Sequence, residues 1–128
     1  MMLTNAPVAT MIPVVDLDRA RNFYEMKLGL KVIGEFPGGV RLEAGAGTAI
    51  GLYQRLQTKA DHTVANFQVE DVEATVKDLN AQGVKFEQYD MPQFGLKTNS
   101  LGIADTEGVK IAWFTDTEGN ILSVTQIP

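Results

Sequence analysis

Few side chains in this sequence are of the types that catalyse reactions or bind metal ions. The chain has no cysteine and one histidine, His62. Thiolate chemistry is therefore excluded, and a metal site would need histidine, aspartate or glutamate. We find no Ser-His-Asp arrangement, phosphate-binding glycine loop or metal-spaced pair of histidines. Four carboxylates stand at predicted helix starts, where they cap the helix rather than transfer protons: Asp16, Asp18, Asp71 and Glu73.

Composition limits the class of partner. The 128 residues are 45% hydrophobic, which is typical of a packed domain. The net charge of -5 disfavours nucleic acid and favours a cationic small ligand. The longest apolar runs are far shorter than the ~20 residues of a membrane span. Residues 1–6 lack a secretory signal. We expect a cytoplasmic protein with neither a nucleic-acid nor a membrane partner.

The elements that would position functional residues occur in the same order twice. In the first half, alternating apolar residues predict a strand over Val8–Val15, Asp16 caps a helix from Leu17, and three strands follow: Lys31–Phe36, Val40–Glu43 and Thr48–Arg55. In the second half, Asp71 caps the helix, and the strands are His62–Val69, Val84–Asp90, Val109–Thr115 and Ile121–Gln126. Asp16-Leu17-Asp18 corresponds to Asp71-Val72-Glu73 at a separation of 55 residues.

The repeat predicts an α+β fold made of two βαβββ modules. The modules span about 6–56 and 61–127 of a single domain, 1–128. A sheet with a helix on one face leaves the other face to be covered. We expect the halves to pair into an eight-stranded, cup-shaped sheet with the helices outside. The concave surface would then be a ligand site.

Two segments resemble the vicinal oxygen chelate superfamily, which includes glyoxalases, bleomycin-binding proteins and dioxygenases. One is Val14 to Tyr24 with Leu28-Gly29-Leu30, similar to the family's V-x-D-L-x-x-A-x-x-F-Y opening. The other is Trp113 to Leu122, similar to its F-x-D-P-D-G-N ending. Residues 116–120 of that ending also favour a tight turn. The resemblance implies the cup-shaped fold over nearly the whole chain.

The resemblance also implies where metal ligands would lie in metal-using members. The corresponding residues here are non-ligands: Ala9, Gly51, Val64 and Ser123. Three lack a donor atom, and a neutral hydroxyl is a poor ligand. We therefore expect neither a metal nor another cofactor. His62, two residues before Val64, could be a shifted ligand, although hydrogen bonding at the rim is the favoured role.

Strand alternation predicts a mixed apolar and amide lining for the cup. With Phe94 added from a loop, the predicted ligand-binding residues are Met11, Tyr53, His62, Asn66, Gln68, Phe94, Trp113 and Ser123. Trp113 either lines a pocket or plugs the core, and the neighbouring amides favour the pocket because they are costly to bury in a dry core. The small Ala9 and Gly51 predict spare volume. The long 91–108 connection is either a lid or disordered.

These features favour metal-independent binding of a small aromatic or cationic molecule, as in the drug-sequestering, bleomycin-resistance branch. One alternative is an enzyme of glyoxalase or lyase, isomerase or dioxygenase type, with shifted metal ligands or with His62 as a general base. Another is a non-catalytic interaction module. The family resemblance also implies a homodimer.

Overall fold

The computed structural model describes residues 2–59 and 61–128. Residue 1, which belongs to the segment 1–6 considered above for a secretory signal, lies outside the described residues. The chain divides into two compact units at Thr58 and Lys59. Each unit contains a four-stranded sheet and one main helix. The predicted α+β class with two βαβββ modules is therefore confirmed.

The first unit begins with strand β1 and continues through helix α1 to a three-stranded antiparallel meander. The bounds are β1 Thr10–Val14, α1 Leu17–Asn22, β2 Lys31–Phe36, β3 Gly39–Glu43 and β4 Ala49–Gln54. The strand order is β1-β4-β3-β2, with β1 parallel to β4. Apolar residues at alternate positions form the buried face, including Ile12 and Leu52, both with no exposed surface.

The first helix begins as predicted and then changes its winding. The Asp16 side chain accepts a hydrogen bond from the Arg19 backbone N–H at 3.0 Å, which satisfies a free donor of the first turn. After α1, residues Phe23–Lys27 form a π-helical turn. The wider turn accompanies burial of two successive aromatic rings, Phe23 and Tyr24, whose centroids are 5.6 Å apart. Gly29 has a φ of 76° at the predicted end of the helix.

The second unit repeats the order with an insertion. Its bounds are β5 Thr63–Gln68, α2 Val72–Ala81, β6 Asp90–Met91, β7 Leu96–Lys97, β8 Ile103–Thr106, β9 Val109–Thr115 and β10 Ile121–Gln126. The main sheet has the order β5-β10-β9-β8, with β5 parallel to β10. Strands β6 and β7 form a separate small hairpin.

The predicted strand Val84–Asp90 is wrong. Residues 84–89 form only an isolated bridge, from Phe86 to Phe114, Asp90 begins β6, and β8 is the edge strand of the sheet. The reason is local. Glu107 and Gly108 both have positive φ, 54° and 85°, which makes the two-residue turn that joins adjacent antiparallel strands. The strand preceding β9 is therefore its immediate neighbour in sequence.

The predicted long connection 91–108 contains regular structure, so its interpretation as disordered is corrected. The segment contains a short 3-10 turn at Pro92–Phe94 between β6 and β7, and then β8. Thr98 fastens the base of the hairpin, because its backbone N–H and hydroxyl donate to the Tyr89 carbonyl at 2.9 and 3.2 Å. Across the described residues, no helix is long and apolar enough to cross a membrane.

Candidate functional site

Most predicted binding residues lie on the sheet face opposite the buried alternating positions, which we call the distal face of each sheet. Met11 and Tyr53 are on the distal face of the first sheet, since they alternate with the buried Ile12 and Leu52. Asn66, Gln68, Trp113 and Ser123 are on the distal face of the second sheet by their strand register.

On the second sheet, three of these residues occupy adjacent positions. Ser123 pairs with Asn66 on one side and with Trp113 on the other. The Ser123 hydroxyl donates to Asn66 Oδ1 at 2.7 Å, and Asn66 Nδ2 donates to Thr125 Oγ1 at 2.9 Å. Ser123 is only 1% exposed, whereas Asn66 is exposed. The network fixes the orientation of an amide that solvent or a ligand can reach.

Trp113 packs against an aromatic residue that the sequence did not single out, Tyr89. Their ring centroids are 5.4 Å apart at an interplanar angle of 83°, an edge-to-face arrangement. Burial raises the pKa of the Tyr89 phenol above its ordinary value of 10.0, and the negative charge of Glu87 raises it further. The hydroxyl therefore stays protonated at neutral pH and can donate a hydrogen bond. Tyr89 was missed because no lining residue was predicted from the segment 84–90.

The remaining predicted residues of the second unit are more peripheral. His62 is exposed and precedes the first residue of β5, and Gln68 is an exposed residue at the end of that strand. Phe94 is 75% exposed in the turn between β6 and β7. Val64 lies within β5 and is half-buried. The structure therefore brings Ser123 together with Asn66 and Trp113, whereas His62 and Phe94 are exposed side chains outside the paired strands.

On the first sheet, the predicted spare volume at Gly51 is absent. A Cβ atom placed on Gly51 would lie 2.5 Å from Met11 Sδ and 3.9 Å from Phe36 Cζ, so the Met11 side chain covers this glycine. The Phe36 ring likewise lies against Gly39. A flexible thioether fills the gap because no side chain competes for it. Met11 itself remains 51% exposed. Ala9 lies just before β1.

The residues predicted to correspond to the family's metal positions do not fit a metal ion. Ala9, Gly51 and Val64 have no side-chain donor, and the Ser123 hydroxyl already bonds to Asn66. Over residues 2–59 and 61–128, no group of three or more histidines and carboxylates is placed to hold a metal ion.

The turn after β9 is a structural element. Asp116 is 7% exposed, and its carboxylate accepts hydrogen bonds from the backbone N–H groups of Glu118 and Asn120 at 2.8 and 2.9 Å. It also accepts from Asn120 Nδ2 at 2.9 Å. The carboxylate thus holds the loop that joins β9 to β10, in accordance with the tight turn predicted from residues 116–120.

The model of the Glyoxalase/Bleomycin resistance protein/Dioxygenase superfamily matches residues 7–122. The chain belongs to this superfamily. The family predicted from the opening and closing motifs is thereby confirmed. No curated protein sequence matches the chain.

Solved structures share the fold of this superfamily member. TnmS3, an antibiotic binding protein from Streptomyces sp. CB03234, is 21% identical with a TM-score of 0.74, and the alignment covers 100% of both chains. An integron cassette protein from the mobile metagenome of V. cholerae is 25% identical with a TM-score of 0.64, covering 100% of this chain and 99% of that one. Oxidase ChaP-H2 is 17% identical with a TM-score of 0.63, covering 98% and 95%. Both a binding protein and an enzyme therefore use this fold.

Proposed function

We propose that this superfamily member binds a small aromatic or cationic molecule without a metal ion. The observation that carries the proposal is the arrangement around Ser123. Where metal-using relatives would place a carboxylate ligand, the buried hydroxyl of Ser123 orients the exposed amide of Asn66 on one neighbouring strand, and Trp113 lies on the other neighbouring strand. An indole and a fixed amide on the same sheet face, separated by the strand that carries Ser123, can contribute stacking and a directed hydrogen bond, which are the interactions of a binding site.

Tyr89 strengthens this proposal. Its ring meets Trp113 edge to face, so the indole is held in place before any ligand arrives. Fixing an aromatic side chain in advance lowers the entropy cost of binding. The antibiotic-binding TnmS3 has the same fold, which is compatible with sequestration of a drug-like molecule.

A thermal-shift screen tests the proposal. Candidate ligands are aromatic antibiotics and cationic glycopeptide antibiotics, each at a large excess. A ligand at 100 times its Kd stabilises a protein by about 2.7 kcal/mol, which is a rise of several degrees in Tm. We expect Trp113→Ala to abolish the shift, measured against the variant's own Tm. Leu56→Ala is the control, since Leu56 is 88% exposed in the segment after β4.

Two further variants complete the screen. Phe94→Ala tests whether the exposed aromatic of the β6–β7 turn contacts the ligand, as the sequence predicts, and His62→Ala tests the rim role. If no compound raises the Tm, or if Trp113→Ala responds like the wild type, the binding proposal is wrong. Stoichiometric metal retained through dialysis would instead favour the enzyme with shifted ligands.

Two expectations accompany the proposed function. We propose a homodimer, which multi-angle light scattering should report as twice the mass of one chain. We also propose a cytoplasmic location, which cell fractionation tests.

A further inference from the structure

The distal face of the first sheet carries an apolar surface with an arginine beside it, which the sequence analysis did not predict. The strand register places residues across β2, β3, β4 and β1 in two neighbouring rows. One row is Gly34, Arg41, Gly51 and Met11, and the other is Phe36, Gly39, Tyr53 and Pro13. Adjacent strands are about 4.8 Å apart, so each row is roughly 15 Å long.

Glycines shape this face. Met11 and Phe36 both lie over Gly51, and the Phe36 ring also lies against Gly39. Glycine inside a strand often marks such a close approach. The result is a low apolar surface made of a polarisable thioether and an aromatic ring, with Tyr53 beside it. A flat apolar ring system can lie on such a surface.

Arg41 is the charged group next to this surface. Its partners in the register are Gly34 on β2 and Gly51 on β4, so neither neighbouring strand places a side chain directly beside it. Arg41 is exposed, and within the part of the chain that the structure describes its side chain has no ion pair. By contrast, Arg21 in the same unit is bonded to Glu25 and Glu35 at 2.9 and 3.1 Å.

The nearest carboxylate on the same face does not satisfy Arg41. Glu43 lies two residues further along β3, and Lys31 stands directly across from it on β2. A cation therefore already faces Glu43, and Arg41 remains available. A guanidinium forms two parallel hydrogen bonds to a carboxylate and also stacks on rings.

We propose that the distal face of the first sheet binds a planar aromatic anion, an aromatic carboxylate or phenolate, whose oxygen contacts Arg41 and whose ring lies on Met11 and Phe36. This inference goes beyond the proposed function, because it names a second binding surface on the sheet that does not carry Trp113. The proposed ligand is an anion, whereas the net charge of -5 favours a cationic ligand. Net charge acts on approach over long range, whereas affinity depends on the groups in contact.

Calorimetric titration with three matched probes tests the inference. The probes are naphthalene carboxylate, its neutral amide and naphthylmethylammonium, which share the ring and differ in charge. We expect the carboxylate to bind about tenfold more tightly than the amide, and the cation to bind most weakly. Arg41→Gln should abolish the preference for the carboxylate. Arg41→Lys should retain only part of it, because an ammonium lacks the planar fork.

Arg55→Gln is the matched control. It removes the same charge from an exposed arginine just after β4, and it should leave the preference unchanged. The inference is overturned if the amide binds as tightly as the carboxylate, if Arg55→Gln lowers the preference as much as Arg41→Gln, or if none of the probes binds. Failure of the proposed function is a separate result. That function stands whenever a neutral or cationic ligand depends on Trp113 while Arg41→Gln has no effect.

Discussion

The hydrogen bond between Ser123 and Asn66 predicts an asymmetry that stability measurements can detect. Asn66→Leu keeps the branched shape of the side chain but removes the acceptor of the Ser123 hydroxyl, which is 1% exposed. A buried polar group left without its partner costs about 1–3 kcal/mol, so we expect a loss of about 2 kcal/mol. Ser123→Ala leaves only the exposed Asn66 oxygen without a donor. Water can replace that donor, and the expected loss is about 0.5 kcal/mol.

The double variant gives the sharper test. In the Asn66→Leu background the buried Ser123 hydroxyl has no hydrogen-bond acceptor, which lowers the stability of the fold. Ser123→Ala should therefore stabilise that background by about 1 kcal/mol. Urea denaturation followed by the fluorescence of Trp113, the only tryptophan, reports from the adjacent strand position. Gln68→Leu makes the same change on the same face of β5 and should alter stability by less than about 0.5 kcal/mol. The reasoning is refuted if Ser123→Ala still destabilises the leucine background.

Three further predictions concern the turn, the glycine surface and the buried phenol. Asp116→Ala should lower the free energy of unfolding by about 3 kcal/mol in urea, because buried N–H donors lose their acceptor. Gly39→Ala should cost about 1–3 kcal/mol, because the added Cβ would meet the Leu52 carbonyl oxygen and the Phe36 ring, whereas Gly51→Ala, which displaces only the flexible end of Met11, should be nearly neutral by the same assay. For Tyr89, stability should fall as pH rises beyond 10.0, since the unfolded chain releases the proton first, and Tyr89→Phe should reduce that fall in alkaline unfolding curves.

The repeated module could be read from the sequence because its signals are local. The capping aspartates, Asp16 and Asp71, are in place, and both accept a backbone hydrogen bond at 3.0 Å from the residue three positions on. Alternating apolar residues likewise identified β1 and β5, because a half-buried strand has a period of two. The family motifs added the correct superfamily.

The edge strand of the second sheet could not be predicted from local signals in the same way. Residues 84–90 contain alternating apolar side chains, yet Ile103–Thr106 forms the edge strand. Both segments lie along β9, because Phe86 bridges Phe114 and Ile103–Thr106 pairs with residues 109–112. Periodicity does not say which of the two forms a continuous strand. The Glu107-Gly108 turn decides it, because a two-residue turn makes the pairing of its flanking strands local. The sequence signal was present in this dipeptide and was overlooked.

The meaning of the small residues at the metal positions also required the structure. Gly51 suggested an opening, but a glycine inside a strand indicates only that something approaches closely. That neighbour can be a ligand or the protein's own side chain, and here it is Met11. Phe36 and Arg41 were missed for a related reason. Their importance comes from the glycines beside them on adjacent strands, and strand register is not visible in one sequence.

The two positions predicted to correspond to metal ligands on the last strands, Gly51 and Ser123, are filled by different physical means, and the difference bears on specificity. At Ser123 the replacement is a polar network with short, directional bonds, so a ligand group with the wrong hydrogen-bonding pattern would leave a polar atom unpaired at a cost of about 1–3 kcal/mol. At Gly51 the replacement is a thioether that adapts its shape, so rings of different outline can be accepted at little cost. Discrimination by hydrogen bonding is therefore expected at Asn66, and tolerance of ring size at Met11.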